Sequence, residues 1–391
     1  MEATTPQLLV DRARALLPQI RGRAEKAESL RRLPEETLAD LRDAGLLRAL
    51  QPARFGGSQL DLDALLGVAA EIGRACGSSA WCFSILGIHN WLLGLYPLEA
   101  QEEVWGATPD ALAVACFAPT GKAEPADGGY RLSGRWQFAS GCDHAGWAAL
   151  SAPIARPGAP FPDPRMFLVP MRDLRIEDTW FVAGLRGTGS KDLVVEGALV
   201  PEHRTLSLAH AVAGSSPGAA LHGAPVYRAP FTSALGIALA GPALGIARGA
   251  LDHYRERTRE RVLTYGGAKL AEQMPMQIRL AEAAAEIECA ELLTERVCRD
   301  LARGTRGELE LDLAARARIR RDAAYVVRLC TRAVDRLFEA SGAHGLFDAS
   351  PIQRAFRDLH AMSAHAFLNW DQSGALYGAI QLGLPSPNPI V

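Results

Sequence analysis

Residues 128–140 read GGYRLSGRWQFAS. The Asp127-Gly128-Gly129 step at their start is a hairpin signal, because glycine reaches the positive φ of a tight turn. Beyond it Tyr130, Leu132, Gly134, Trp136, Phe138 and Ser140 recur at every second position, which predicts a strand with those residues on one face. Further short strands are expected at 166–171 and 193–201, and the Gly-rich run 184–190 (GLRGTGS) marks a loop.

Helical texture lies on both sides of this β segment. Upstream, Pro34-Glu35-Glu36 opens a helix with Leu38 and Leu41 at helical spacing, and 60–74 is amphipathic. Downstream, long periodic segments at 231–262, 269–303, 308–341 and 351–379 predict an antiparallel four-helix bundle. The Gly/Ala/Pro/Ser-rich stretch 210–230 reads as a loop near the site. The expected division is an N-terminal helical domain 1–109, a middle β domain 110–208 and a C-terminal bundle 209–391, an α+β fold. Strands and helices do not alternate as a doubly wound α/β sheet requires.

The chain has 391 residues, enough for more than one core. Lys and Arg total 42 against 44 Asp and Glu, so no basic excess points to nucleic acid. The seven cysteines form no C-x-x-C pair, which removes zinc ribbons and thioredoxin-like chemistry and fits a reduced cytoplasmic protein. The N-terminus lacks a signal-peptide pattern. Two uncharged stretches, 78–97 and 231–247, are interrupted by polar residues or by Pro242 and lack flanking Lys/Arg clusters, so they are expected as core helices and not membrane spans. G-x-G-x-x-G is absent, and Ser190 follows Gly184-Leu-Arg-Gly-Thr-Gly189 where a phosphate-binding loop would need Lys.

Four strings resemble the acyl-CoA dehydrogenase superfamily: LPEETLADLRDAGLLRALQPARFGG (33–57), GGYRLSGRWQFASGCDHAGW (128–147), GTGSKDLVVEGALVPEHR (187–204) and ASGAHGLFDASPIQRAFRDLHA (340–361). CGSSAWCFSILGIHNW (76–91) and RDLHAMSAHAFLNWDQSGALYG (357–378) resemble one branch, the two-component flavin monooxygenases, which include 4-hydroxyphenylacetate and 3-hydroxy-seco-steroid hydroxylases. This resemblance implies an oxygenase component that takes reduced FAD or FMN from a separate NAD(P)H:flavin reductase. It further implies that O2 is activated as a flavin C4a-hydroperoxide, that a small phenolic substrate is hydroxylated, and that the assembly is a homotetramer. N- or S-oxygenation on the same scaffold, an acyl-CoA dehydrogenase-like activity and a non-catalytic flavin-fold binder are the alternatives. The dehydrogenase base is a carboxylate in a Tyr-Glu-Gly-Thr-like string; here the region reads AHAFLNWDQ (364–372), with His365 and no Glu.

The resemblance assigns Ser140 to the flavin ring near N5, where the bland reading is a strand-end cap. Trp136 and Phe138 suit either the wall of a flavin site or plain core. His365 corresponds to the branch's catalytic histidine. Read on one long helix with His360, five residues earlier, it stands about 140° away, which also excludes a metal pair. His89, in the uncharged helix before Asn90 and Trp91, needs a partner to offset its burial, and the branch places such a histidine against the substrate hydroxyl. His144 reads as structural. Ser341, Gly342, Ala343 and His344 form a turn after a helix, suited to a flavin phosphate or to ordinary capping. A phosphate-holding Arg is expected among 255, 257, 259 and 261, with Arg261 chosen; the branch's aromatic-Gly landmark is altered to Tyr265-Gly266.

Overall fold

The computed structural model describes residues 4–154, 163–262 and 267–386. Tyr265 and Gly266 lie outside them. Among the described residues the first α-helices are α1 (Pro6–Ala15), α2 (Leu17–Gly22), α3 (Ala24–Leu30), α4 (Glu35–Asp43), α5 (Leu62–Gly73), α6 (Gly77–Leu93) and α7 (Leu98–Trp105). The strands follow: β1 (Ala113–Cys116), β2 (Lys122–Ala126), β3 (Gly129–Ala139), β4 (Trp147–Ile154), β5 (Asp163–Pro170), β6 (Arg175–Glu177), β7 (Lys191–Pro201) and β8 (Thr205–Ser207). The rest is helical: α8 (Leu208–Val212), α9 (Pro217–Leu221), α10 (Phe231–Ala238), α11 (Ala240–Glu260), α12 (Met274–Thr305), α13 (Leu313–Ala340), α14 (Pro351–Ser363) and α15 (Trp370–Gln381). The α+β order read from the sequence is the order found.

The strands form two sheets, β1-β4-β5-β8 and β2-β3-β7-β6, with β1 and β4 parallel and the other pairs antiparallel. Trp136 joins the sheets: its ring is fully buried and its Nε1–H donates to the Ser151 carbonyl of β4 at 2.8 Å. A Cβ at Gly121 would fall 2.1 Å from the Trp136 ring, so only glycine fits beside it. Trp136 is therefore core, the plainer of its two readings.

The simple alternation predicted for β3 fails at its far end. Trp136 pairs with Leu193 but Ala139 pairs with Lys191, so β3 spends one more residue than β7 over the same interval. This bulge forces Phe138 to φ 66° and turns its side chain outward, 66% exposed, while Trp136 and Ala139 stay inside. Phe138 and Trp136 do not share a face.

Behind the sheets, every residue of α6 is buried, which explains an uncharged helix without a membrane. The run Phe231–Glu260 is long and apolar enough to cross a bilayer, yet 83% of its apolar window is packed inside the protein. α5 crosses α11 closely: a Cβ on Gly73 would lie 2.9 Å from the Gly245 Cα. α11, α12, α13 and α14 pack together as the expected bundle. The periodic segment 351–379 is two helices, however. α14 ends at Ser363 and Asn369 caps α15 by accepting the Gln372 amide. His365 thus lies in the turn between them, and a helical angle from His360 does not describe it. The 210–230 stretch holds the end of α8, α9 and a 3-10 turn; Trp91 Nε1–H to the Val226 carbonyl (2.9 Å) packs it on the end of α6, and Tyr227 Oη–H to the Leu50 carbonyl (2.8 Å) ties it to the segment between α4 and α5.

Candidate active site

Helix α6 carries the first two groups, Trp81 and His89, about 12 Å apart along its axis. Trp81 Nε1–H donates to Ser140 Oγ at 3.0 Å, which ties the helix to the end of β3. The Trp81 ring also meets the His365 ring edge-on, with centroids 5.5 Å apart. His365 stacks near Phe367 (5.9 Å), Phe367 meets Phe117 (6.5 Å), and Phe117 meets both His89 (5.9 Å) and Phe231 (5.2 Å). One continuous aromatic wall therefore runs from Ser140 through Trp81 and His365 to His89, residues from three parts of the chain.

Both ring nitrogens of His89 are buried and neither makes a hydrogen bond of good geometry, the Ala113 backbone being a weak neighbour at most. Burial among rings pushes its pKa down to about 3, against a smaller lift from the Ala113 backbone. An unpaired buried imidazole is unfavourable by itself. His365 is held differently. Its Nδ1 accepts the Phe367 amide at 3.3 Å, so the neutral ring carries its proton on Nε2. Burial first, and the Arg320 guanidinium second, lower its pKa to about 4. Arg320 reaches that turn by donating to the Ala366 carbonyl at 3.2 Å and by lying over Phe367, 5.3 Å from its centroid. His360 belongs to neither group: it pairs with Asp335 at 2.9 Å on an exposed face of α14. His144 is structural, with Nε2 on the Leu33 carbonyl at 2.9 Å.

Ser140 is 7% exposed, and its amide is engaged with the Phe138 carbonyl at 2.9 Å. The hydroxyl contacts Ser190 Oγ at 2.7 Å, and Ser190 contacts Thr188 Oγ1 at 2.7 Å. Phe138, beside it, is flanked edge-on by Trp180 at 6.2 Å. A large aromatic held outward in a left-handed conformation, beside a strand-end hydroxyl, suits a flat aromatic cofactor.

The phosphate candidates meet as a second group. Arg261 Nη1 donates to the Ser341 carbonyl at 3.3 Å, whereas Arg255 pairs with Asp252. Ser341 is buried and donates to Leu337, while Gly342 (φ 61°), Ala343 and His344 face outward. Among the described residues no direct hydrogen bond or ring contact joins this group to the aromatic wall.

Sequence reasoning missed Thr188, Ser190, Phe117, Phe231, Phe367, Trp180 and Arg320. Thr188 and Ser190 sit in a quoted string and Phe367 two residues after His365, but their placement in the candidate site comes from strand register and chain reversal. Arg320 carried no local signal.

Helices, a two-sheet layer and a helical bundle, with the second sheet's long strand ending against a buried helix, define an acyl-CoA dehydrogenase-fold protein. Residues 5–107 match the family model for the acyl-CoA dehydrogenase N-terminal domain, and 237–370 that for its C-terminal domain. The oxygenase subunit HsaA of a flavin-dependent monooxygenase from Rhodococcus jostii (strain RHA1) is 39% identical over 384 residues, covering 98% of this chain and 100% of that one. The oxygenase component of an FADH(2)-dependent resorcinol hydroxylase from Rhizobium sp. (strain MTP-10005) is 37% identical, covering 96% and 94%. The crystal structure of the HsaA monooxygenase from M. tuberculosis superposes with a TM-score of 0.92 at 38% identity, covering 99% and 100%. The chain belongs to this family: it is the oxygenase component of a flavin-dependent monooxygenase, an oxidoreductase of acyl-CoA dehydrogenase fold.

Proposed function

We propose that the protein hydroxylates a small phenolic substrate, using O2 and reduced FAD or FMN that a separate NAD(P)H:flavin reductase delivers. The observation that carries the substrate class is His89. Its two orphaned nitrogens sit in a wall of aromatic rings, and a phenol offers both a ring for that wall and a hydroxyl for the imidazole.

The flavin, when bound, supplies the electrons that activate O2 for transfer of one oxygen atom. Ser140, Phe138 and Trp180 would hold its ring, and Arg261 with Ser341, Gly342, Ala343 and His344 its phosphate. His89 acts on the substrate oxygen. A phenol has a pKa of about 10 and burial pushes His89 down to about 3, so resting proton transfer is uphill. His89 Nε2 or Nδ1 instead accepts the phenolic hydrogen bond and takes the proton only as the ring is attacked. His365 contributes the opposite function: with Nδ1 occupied, its Nε2–H is a donor to oxygen in the site. The rings around both residues exclude water. Free thiols at all seven cysteines fit a cytoplasmic setting.

Chemically reduced flavin mixed with the protein, O2 and a panel of phenols, amines and thioethers tests the reading. A phenol gaining one oxygen atom supports it. Oxygen on nitrogen or sulfur alone, or reduction of bound flavin by an acyl-CoA, overturns it.

A further inference from the structure

The hydroxyls behind the strand end form a chain whose direction is fixed by its two ends. At one end is the Trp81 indole, which can only donate, and Ser140 Oγ receives it at 3.0 Å. At the other is the Leu185 carbonyl, which can only accept, and Thr188 Oγ1 donates to it at 2.9 Å. Each hydroxyl between them has a single hydrogen. That of Thr188 is spent on Leu185, so in the 2.7 Å contact with Thr188 the donor is Ser190. That of Ser190 is then spent as well, so in the 2.7 Å contact between Ser140 and Ser190 the donor is Ser140. This is the one assignment that satisfies all four contacts, with the Leu185 carbonyl shared among the Thr188 hydroxyl, the Trp180 indole at 3.0 Å and the Thr188 amide at 3.2 Å.

Ser140 therefore has no hydrogen left to offer, and its remaining capacity is one lone pair. We propose that this polarised chain, with Ser190 and Thr188 as positioning residues, makes Ser140 an acceptor-only group and so selects reduced flavin over oxidised flavin. The argument rests on the reading that a flavin ring sits against Ser140. A reduced flavin carries N5–H, a donor that matches the lone pair. An oxidised flavin presents bare N5, an acceptor, and meets a second acceptor. Selection is a difference of affinities, and here it comes from the mismatch with the wrong redox state. All three hydroxyl residues are at most 7% exposed, so water does not readily substitute for a missing link.

The test is equilibrium binding of both redox forms of FAD and FMN, the reduced form under strict anaerobiosis. Wild type should prefer reduced flavin. Ser190→Ala frees the Ser140 hydrogen to turn toward bare N5, so the oxidised form should bind roughly three- to tenfold tighter while the reduced form changes little. Thr188→Val should act in the same direction, since Ser190 can then donate back to Ser140. Thr188→Ser keeps the hydroxyl and should retain the wild-type ratio. A merely structural role would weaken both forms together. Parallel loss of both forms, or an unchanged ratio in Ser190→Ala and Thr188→Val, overturns the proposal. A wild-type protein that bound neither form would instead overturn the flavin reading itself.

Discussion

The carboxylate of Asp358 on α14 accepts the amide of Leu185 at 2.6 Å, across 173 residues of sequence. Leu185 has φ 52°, and its carbonyl closes the hydroxyl chain behind Ser140. One carboxylate thus holds in place the residue on which that chain ends. Asp358 is 2% exposed, and burial raises its pKa to about 6, against the Leu185 hydrogen bond.

Asp358→Ala should lose about 1–3 kcal/mol, the cost of leaving the Leu185 amide unpaired. Asp358→Asn keeps an acceptor and should lose less. The folded pKa lies above the usual carboxylate value, so the folded state favours the protonated acid. That contribution is complete below about pH 3.9 and is lost as pH rises through 6. Asn carries no charge to desolvate, so its deficit against wild type should shrink between pH 5 and pH 8. Urea denaturation at the two pH values checks this.

His89 gives the opposite pH dependence. Its folded pKa is lowered, so an unfolded chain takes up a proton near pH 6.5 that the folded one refuses until about 3. Stability present above pH 6.5 should fall as pH drops through that window, by at most about 1.4 kcal/mol per pH unit from this residue. In His89→Gln the slope should be shallower in denaturation series from pH 7.5 to 4.5. His89→Ala should weaken phenol binding and turnover together, seen as a higher KM with a lower kcat.

Removal of His365 should separate oxygen consumption from hydroxylation. His365→Ala is expected to lose about 10²–10⁴-fold in product formation. Reduced flavin should still bind and consume O2, with the electrons recovered as hydrogen peroxide. His360→Ala, which removes the exposed pair with Asp335 and a ring contact with Phe356, both away from the aromatic wall, should remain coupled. Product-to-peroxide ratios by chromatography decide between them.

Phe138 combines strain with exposure. Phe138→Gly relieves a left-handed conformation unfavourable by about 1–2 kcal/mol, so the melting temperature should not drop although a large aromatic is gone. Flavin affinity should fall at least several-fold by fluorescence titration. A lower melting temperature with unchanged affinity would place Phe138 in the core and not at the cofactor.

Assembly should cover the remaining apolar surface. Met274, Ile278 and Leu292 on α12, with Leu346, Phe347, Leu382 and Leu384, are 47–79% exposed in the single chain. A homotetramer is expected by light scattering at micromolar concentration, and a monomer would refute it.

Much of this architecture was legible in the sequence. Hydrophobic period separates 3.6-residue helices from two-residue strands, and each burial pattern is written locally. The uncharged run 78–97 could be read as a core helix, and His89 within it as a group needing a partner. Tertiary structure decided what depends on register and on chain reversal. Whether β3 spends an extra residue against β7 is settled by pairing with a strand some 50 residues away, and that bulge turned Phe138 outward. Whether 351–379 continued as one helix was settled by the Asn369 cap, and by a His365 ring that takes the Phe367 amide within the turn. The direction of the hydroxyl chain was fixed by an indole from α6 and a carbonyl from the loop before β7. A hydrogen bond's polarity belongs to both its ends, and the sequence brings those ends together only by folding.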